Sequence, residues 1–244
     1  MKLTGRFYRL AFCSAVATVV ALASNAWAAE GSATITKVSG TAETSANGTT
    51  WTAAAVGKML APGTSIRSSG TTGSQIDTYL GSNGGSVQLA PSTEVKFEKL
   101  TTQSGGLGPV ADTALNLKAG TIVGAIKSAL PAGSKYEVKT PSSVIAINVT
   151  RGPVRYQISA SGAVHIVEGQ VVVAAGAAAG VTVNAGQSFT PGAGGGSVGV
   201  TPPGSLINLP PPVEPQPPVL PSLPTAPTVE FISPVPEVSG TTGV

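Results

Sequence analysis

The stretch VIAINVTRGPVRYQIS, residues 144–159, changes its pattern of alternation halfway along. Its apolar residues fall on odd positions in the first half and on even positions in the second. Alternation with period two is typical of a strand with one buried face. A change of phase by one residue is what a β-bulge produces. Glycine tolerates bulge geometry and proline cannot donate to a ladder, so we predict a structural bulge at Arg151, Gly152 and Pro153 that bends the strand.

The side chain of Arg151 shares the odd-numbered phase of the first half of this stretch. We therefore expect its guanidinium to point toward the core. A buried arginine requires a carboxylate or several carbonyl groups as partners. Three carboxylates of the strand-rich region are candidates, and the sequence does not choose among them: Glu94, Glu137 and Glu168.

Short alternating runs continue on both sides of this stretch, from residue 33 to residue 190. ATITKVSG, SQIDTYL, TEVKFEKL, ALNLKAG and AVHIVEG are examples, and most runs end at Gly, Pro, Ser or Asn. No window has a convincing helical stripe. Many short strands at close spacing predict an all-β fold, here a single sandwich-like or roll-like domain of mostly antiparallel strands over 33–190.

The first 28 residues have the three parts of a secretory signal peptide. A basic start precedes the apolar run LAFCSAVATVVALAS, and the small-x-small site ends at Ala28. The alternative is an uncleaved membrane anchor, for which the run is short. Cleavage would remove the single cysteine and three of 14 basic residues, leaving 11 against 11 acidic ones. A mature chain of zero net charge has no electrostatic footprint for nucleic acid, and one without cysteine has no disulfide.

The C-terminal part has a different composition. A Gly-rich stretch at 190–200 is followed by 202–236, which holds 13 of the 20 prolines. Each proline fixes φ and removes a donor, so we predict a Gly/Pro-rich flexible tail over 191–244. It is interpreted as a spacer or disordered end, with a docking peptide for a partner or for the cell wall as the alternative.

An ordered set of motifs resembles the FecR domain, an all-β module of bacterial envelope proteins. The motifs are, in chain order, ITKVSGTAE, Trp51, VGKMLAPGTSIRSSGTTGSQI, GSVQLAPSTEVKFEKL, LNLKAGTIVGAI, TPSSVIAINVTRGPVRYQI, VHIVEGQVVV and VTVNAGQSF. The resemblance covers about 35–190. One departure is that Thr150 and Pro153 alter the family's Val-Arg-Gly-Thr pattern. The resemblance implies a stand-alone exported member, whose biochemical role the family does not define.

The residues that could perform chemistry are few. His165 is the only histidine, it alternates with Val164 and Ile166, and we expect it to face away from their core side. One histidine without cysteine builds neither a zinc site nor a catalytic triad, so no catalytic residue, metal or cofactor is predicted. A glycosidase would need two facing carboxylates, and Asp77, Glu94 and Glu137 are the residues that could meet.

The aromatic residues offer a route to sugar binding, with Trp51, Tyr136 and Tyr156 as candidate ligand-facing side chains. The preferred hypothesis is a non-enzymatic exported envelope interaction or scaffolding protein. The alternative is a glycan- or peptidoglycan-binding module. Both predict an envelope protein or a cell-wall polymer as partner, without a transmembrane span after signal cleavage. Both place the protein in the periplasm, or outside the cell or at its surface, in a Gram-negative-type bacterium.

Overall fold

The computed structural model describes residues 29–81, 84–105, 108–175, 178–192, 195–212 and 215. The signal-peptide segment and residues 216–244 lie outside the described residues, so the predictions made for them stay predictions. The described residues contain strands and turns without any α-helix, which confirms the all-β prediction. Within those residues there is accordingly no helix long and apolar enough to cross a membrane.

Seventeen strands follow one another along the described chain. They begin with β1 (Ala29–Glu30), β2 (Ala33–Ser39), β3 (Ala42–Ser45), β4 (Thr52–Ala53), β5 (Met59–Leu60) and β6 (Ser65–Ser68). They continue with β7 (Gln75–Tyr79), β8 (Ser86–Leu89), β9 (Glu94–Gly105), β10 (Gly108–Ala119), β11 (Thr121–Ile126) and β12 (Lys135–Lys139). The last are β13 (Val144–Ser159), β14 (Val164–Ala175), β15 (Ala178–Asn184), β16 (Gln187–Thr190) and β17 (Ser197–Val200).

These strands form one curled sheet with two halves. In the first half the strands lie in the order β5, β2, β7, β8, β11, β13, β14, β16 and β17. In the second half the order is β4, β3, β6, β9, β10, β12, β13, β14 and β15, with β1 beside β9. Every pair is antiparallel except β10 with β12. The hairpin of β13 and β14 belongs to both halves and joins them.

The bend of β13 lies where the phase of its apolar residues changes. Residues 145–149 bury apolar side chains at odd positions, residues 154–158 bury apolar side chains at even ones, and 150–153 are exposed. The register with β14 shifts between Asn148 and Arg151 and again between Arg151 and Arg155, so the ladder is interrupted here. The first part of β13 pairs with β12 and the second with β11. The phase change therefore lets one strand bury side chains in both halves of the sheet.

The prediction that Arg151 points toward the core is wrong, because its side chain is exposed. Arg151 lies inside the four-residue bend, where the alternation of the first half has already ended. It therefore needs none of the three carboxylates considered as partners.

The two halves share one apolar core. One row of side chains runs in register across the first half as Ile76, Leu89, Ile122, Ile158, Val164 and Phe189. All six belong to the buried cluster, which also includes Phe97, Leu115 and Leu117 of the second half. Burial of this apolar surface is the main term that stabilises the sheet.

The domain extends past residue 190, where the sequence placed the start of a flexible tail. Strand β17 pairs with β16 over its whole length. Residues 201–212, called the strap below, then follow the outer face of the first half. The boundary at 190 is therefore too early, because this segment is bound by specific contacts that composition does not reveal.

Candidate functional site

A second row of side chains runs across the first half of the sheet, on the face opposite the core. Strand pairing places Asp77, Gln88, Val123, Gln157, His165 and Ser188 side by side on β7, β8, β11, β13, β14 and β16. Since successive residues of a strand point to opposite faces, these residues alternate with the core row. We call this set the polar row, although it includes Val123.

Five of the six side chains of the polar row are buried even though they face away from the core. Asp77, Gln88 and Gln157 are 0%, 1% and 4% exposed. Val123 is 2% exposed without belonging to the core cluster. The strap covers this face, and its Leu209 is itself only 8% exposed. The row is therefore enclosed between the sheet and the strap.

Side chains of the sheet hold the strap by its main chain. The amide of Gln157 donates to the carbonyl of Ser205 at 2.8 Å and accepts the N–H of Ile207 at 2.7 Å. The guanidinium of Arg155 donates to the carbonyl of Leu209 at 2.7 Å, and Gln88 donates to that of Pro210 at 2.7 Å. Contacts of this type recognise an extended chain largely independently of its side chains.

Asp77 positions the glutamine at one end of this contact. Its carboxylate accepts hydrogen bonds from Gln75 at 2.6 Å and from Gln88 at 3.2 Å. Hydrogen bonds to an ionised acceptor are stronger than neutral ones. Asp77 thus orients the amide of Gln88 toward the strap.

His165 occupies the other end of the polar row, between Gln157 and Ser188. It is partly buried, on the face away from Val164 and Ile166, which are core residues. Its Nδ1 is buried and forms no hydrogen bond with any described residue. Burial lowers the pKa of His165 below its usual value, because desolvation disfavours the imidazolium.

We expect the fold to lose stability as the pH falls through the ordinary pKa of histidine, about 6.5. The lowered pKa of His165 means that the unfolded chain binds a proton more readily than the folded one. The resulting loss of folding stability is absent well above pH 6.5 and grows as the pH falls toward the lowered pKa of His165. Urea midpoints measured between pH 7.5 and 5.5 should fall, and the fall should be smaller in His165→Gln. An equal fall in both proteins would contradict the prediction.

Glu98 does not obscure that comparison. Its pKa is also lowered, but a carboxyl group titrates in more acidic solution than the range from pH 7.5 to 5.5. The ammonium of Lys139, at 2.5 Å from its carboxylate, and the amide of Asn116 lower the pKa of Glu98. Its contribution is present above the ordinary carboxyl pKa and is lost only in more acidic solution.

Two of the three candidate ligand-facing aromatics do not face a ligand. Tyr136 and Tyr156 are 2% and 0% exposed, so that prediction is wrong for both. Their rings meet edge to face with centroids 6.1 Å apart, and the Tyr156 hydroxyl donates to the Tyr136 hydroxyl at 2.6 Å. Burial raises the pKa of both phenols. Gly124 lies opposite Tyr156 in the ladder and leaves room for its ring.

Trp51, the third candidate, is partly exposed, but a cation already lies over its ring. The guanidinium carbon of Arg67 is 4.0 Å from the ring centroid, which is a cation–π contact. The same guanidinium forms an ion pair with Glu43 at 2.6 Å. One face of the Trp51 ring is therefore occupied by Arg67.

The carboxylates considered for a hydrolase have separate surroundings. Asp77 accepts the two buried amides, and Glu94 forms an ion pair with Lys118 at 2.8 Å. Glu137 lies on β12, where it pairs in register with Ala146. Among the residues that the structure describes, no three His, Cys, Asp or Glu side chains cluster closely enough to hold a metal ion.

Sequence reasoning did not identify the polar row, although a signal for it was present. Each row member is next to at least one apolar residue in a short strand, and Gln88 and His165 stand between two of them in SVQLA and AVHIVEG. Glutamine and aspartate at such positions are ordinary for a solvent-facing strand. What the sequence does not give is the register that aligns them and the strap that covers them.

Comparison of the chain with protein-family models, with curated proteins and with solved structures finds no match.

Proposed function

We propose that this chain is a non-enzymatic, exported cell-envelope protein of FecR-like type that binds other polypeptides. The observation that carries the proposal is the face of the polar row, which holds the strap by four hydrogen bonds to its main chain. A surface that binds one segment through its backbone groups is suited to bind others.

Features of the sequence support the location and the class. The signal-peptide pattern of residues 1–28 favours export to the periplasm or surface of a Gram-negative-type bacterium. The ordered motifs over about 35–190 favour a stand-alone FecR-like module. Glycan binding is the alternative, but two of the three aromatics on which it depended are buried.

The test is co-sedimentation of the exported protein with cell-envelope fractions. We expect it to pellet with the intact fraction and to remain in the supernatant once that fraction has been treated with protease. Purified peptidoglycan should not pellet it. Pelleting with purified peptidoglycan would favour the glycan alternative, and pelleting with neither fraction would contradict an envelope role.

Photo-crosslinking in intact cells locates the contact. A photoreactive residue at Ile207, 37% exposed on the strap, should yield adducts with an envelope protein. The matched control is Val56, 62% exposed on the turn between β4 and β5, where we expect few adducts. Equal adducts at both positions would argue against the face of the polar row.

A further inference from the structure

Two glutamines bind the strap in the same way, but only one is fully paired. Gln157 donates to the carbonyl of Ser205 and accepts the N–H of Ile207, two residues further along. Gln88 donates to the carbonyl of Pro210, while its Oε1 is buried without a hydrogen bond to any described residue. The residue two further along is Pro212, which has no N–H. By the spacing seen at Gln157, the residue that would donate to Gln88 Oε1 is thus a proline.

Two of the three other unpaired groups lie on the same face of the sheet, and the third is in the strap. Apart from Gln88 Oε1, the buried side-chain atoms without a hydrogen bond in the described part of the chain are Arg155 Nε, His165 Nδ1 and Thr201 Oγ1. Arg155 and His165 belong to the covered face, and Thr201 is the first residue of the strap. Leaving buried polar atoms unpaired is costly, and native structures contain few such atoms. The strap thus satisfies this face incompletely.

The strap also leaves space beside it. A cavity of about 430 Å³ lies at the end of the strap, lined in part by Arg155, Glu168, Pro211 and Pro212. Pro153, in the bend of β13, also lines this cavity. A longer or differently shaped chain could fill this volume.

We propose that the strap is a weak internal occupant of a site for a peptide segment of a partner protein. The preferred segment has the main-chain pattern of residues 205–211 and a non-proline residue in the place of Pro212, whose N–H pairs with Gln88 Oε1. A second copy of this chain would bring the same proline and leave Gln88 unpaired, so the observation favours a different protein. This inference rests on the proposed function and adds the kind of partner.

The test uses three fluorescent peptides based on residues 203–213, PGSLINLPPPV. One has the natural sequence, one has alanine in place of Pro212, and one has N-methylalanine there, which keeps the methyl group but lacks the N–H. Binding is measured by anisotropy with the purified full chain. The same measurement is made with the full-chain variant Leu209→Ser, which weakens the internal strap and leaves the sheet face unchanged.

We expect the alanine peptide to bind about three- to tenfold more tightly than the other two, the value of one net hydrogen bond. All three should bind Leu209→Ser about tenfold more tightly than the natural chain, because a tethered competitor has been weakened. Equal affinity of the alanine and N-methylalanine peptides would overturn the proposal, and so would no binding of any peptide to Leu209→Ser. The peptide assay contains no envelope fraction. A negative result in this assay is therefore distinct from a negative result in the co-sedimentation test of the envelope role.

Discussion

Replacing Gly152 by valine should unfold the protein at a markedly lower temperature. A Cβ atom at this position would lie 2.6 Å from Ser128 Cα and 2.7 Å from the carbonyl oxygen of Lys127. Both are main-chain atoms, so no rotamer change relieves the contact. We expect a loss of about 3 kcal/mol or more, typical of severe overpacking. For a chain of this size that is a fall in Tm of about 6 °C or more.

Gly199→Val is the matched control for this substitution. Gly199 lies on β17, and a Cβ built there meets nothing within 4 Å. Valine also favours a strand, so we expect its Tm to stay within about 2 °C of the natural value. Calorimetry on both variants decides the matter, and equal Tm values for Gly152→Val and Gly199→Val would show that the close approach at the bend is unimportant.

The bend also shows what a sequence pattern can predict and what it cannot. The change of phase in β13 could be read directly from the sequence, because alternation records which face each residue buries. The reason for the glycine could not be read in the same way. Gly152 is required by the approach of the Lys127–Ser128 main chain, a contact between segments more than 20 residues apart. Arg151 was misplaced because alternation has no meaning inside the bend.

The aromatic residues were open to a better prediction from the same pattern. Tyr156 shares the even phase of Val154 and Ile158, and Tyr136 shares the phase of Val138, so alternation places both on the core side. The polar row is a different case. Its members are aligned by the register of six strands, and they are buried by the strap, which composition alone would assign to a flexible tail. Strand register and covering by the strap both depend on contacts between distant segments, so neither could be predicted from one segment of the sequence.

Asp77→Ala should have the second large effect, because Asp77 is the acceptor for two buried amides. Its loss would leave the amide nitrogen of Gln75 without the 2.6 Å hydrogen bond and would free Gln88 from its 3.2 Å contact. Buried hydrogen bonds to a carboxylate contribute about 1.5–3 kcal/mol each, and stranded donors add a desolvation cost. We expect a loss of about 3 kcal/mol and a fall in Tm of about 6–12 °C.

The matched control is Asp112→Ala, because Asp112 forms an ion pair with Lys99 whose side chains are 30% and 52% exposed. Such a surface pair contributes about 0–1 kcal/mol, so its Tm should change little. A second measurement ties Asp77 to the strap. Hydrogen exchange at the Ile207 amide, which donates to Gln157, should be accelerated in Asp77→Ala beyond what global unfolding explains. If exchange at Ile207 follows global stability alone, Asp77 supports the sheet without positioning Gln88 for the strap. If exchange at Ile207 is faster than global stability explains, the buried carboxylate of Asp77 helps to hold the strap on the sheet.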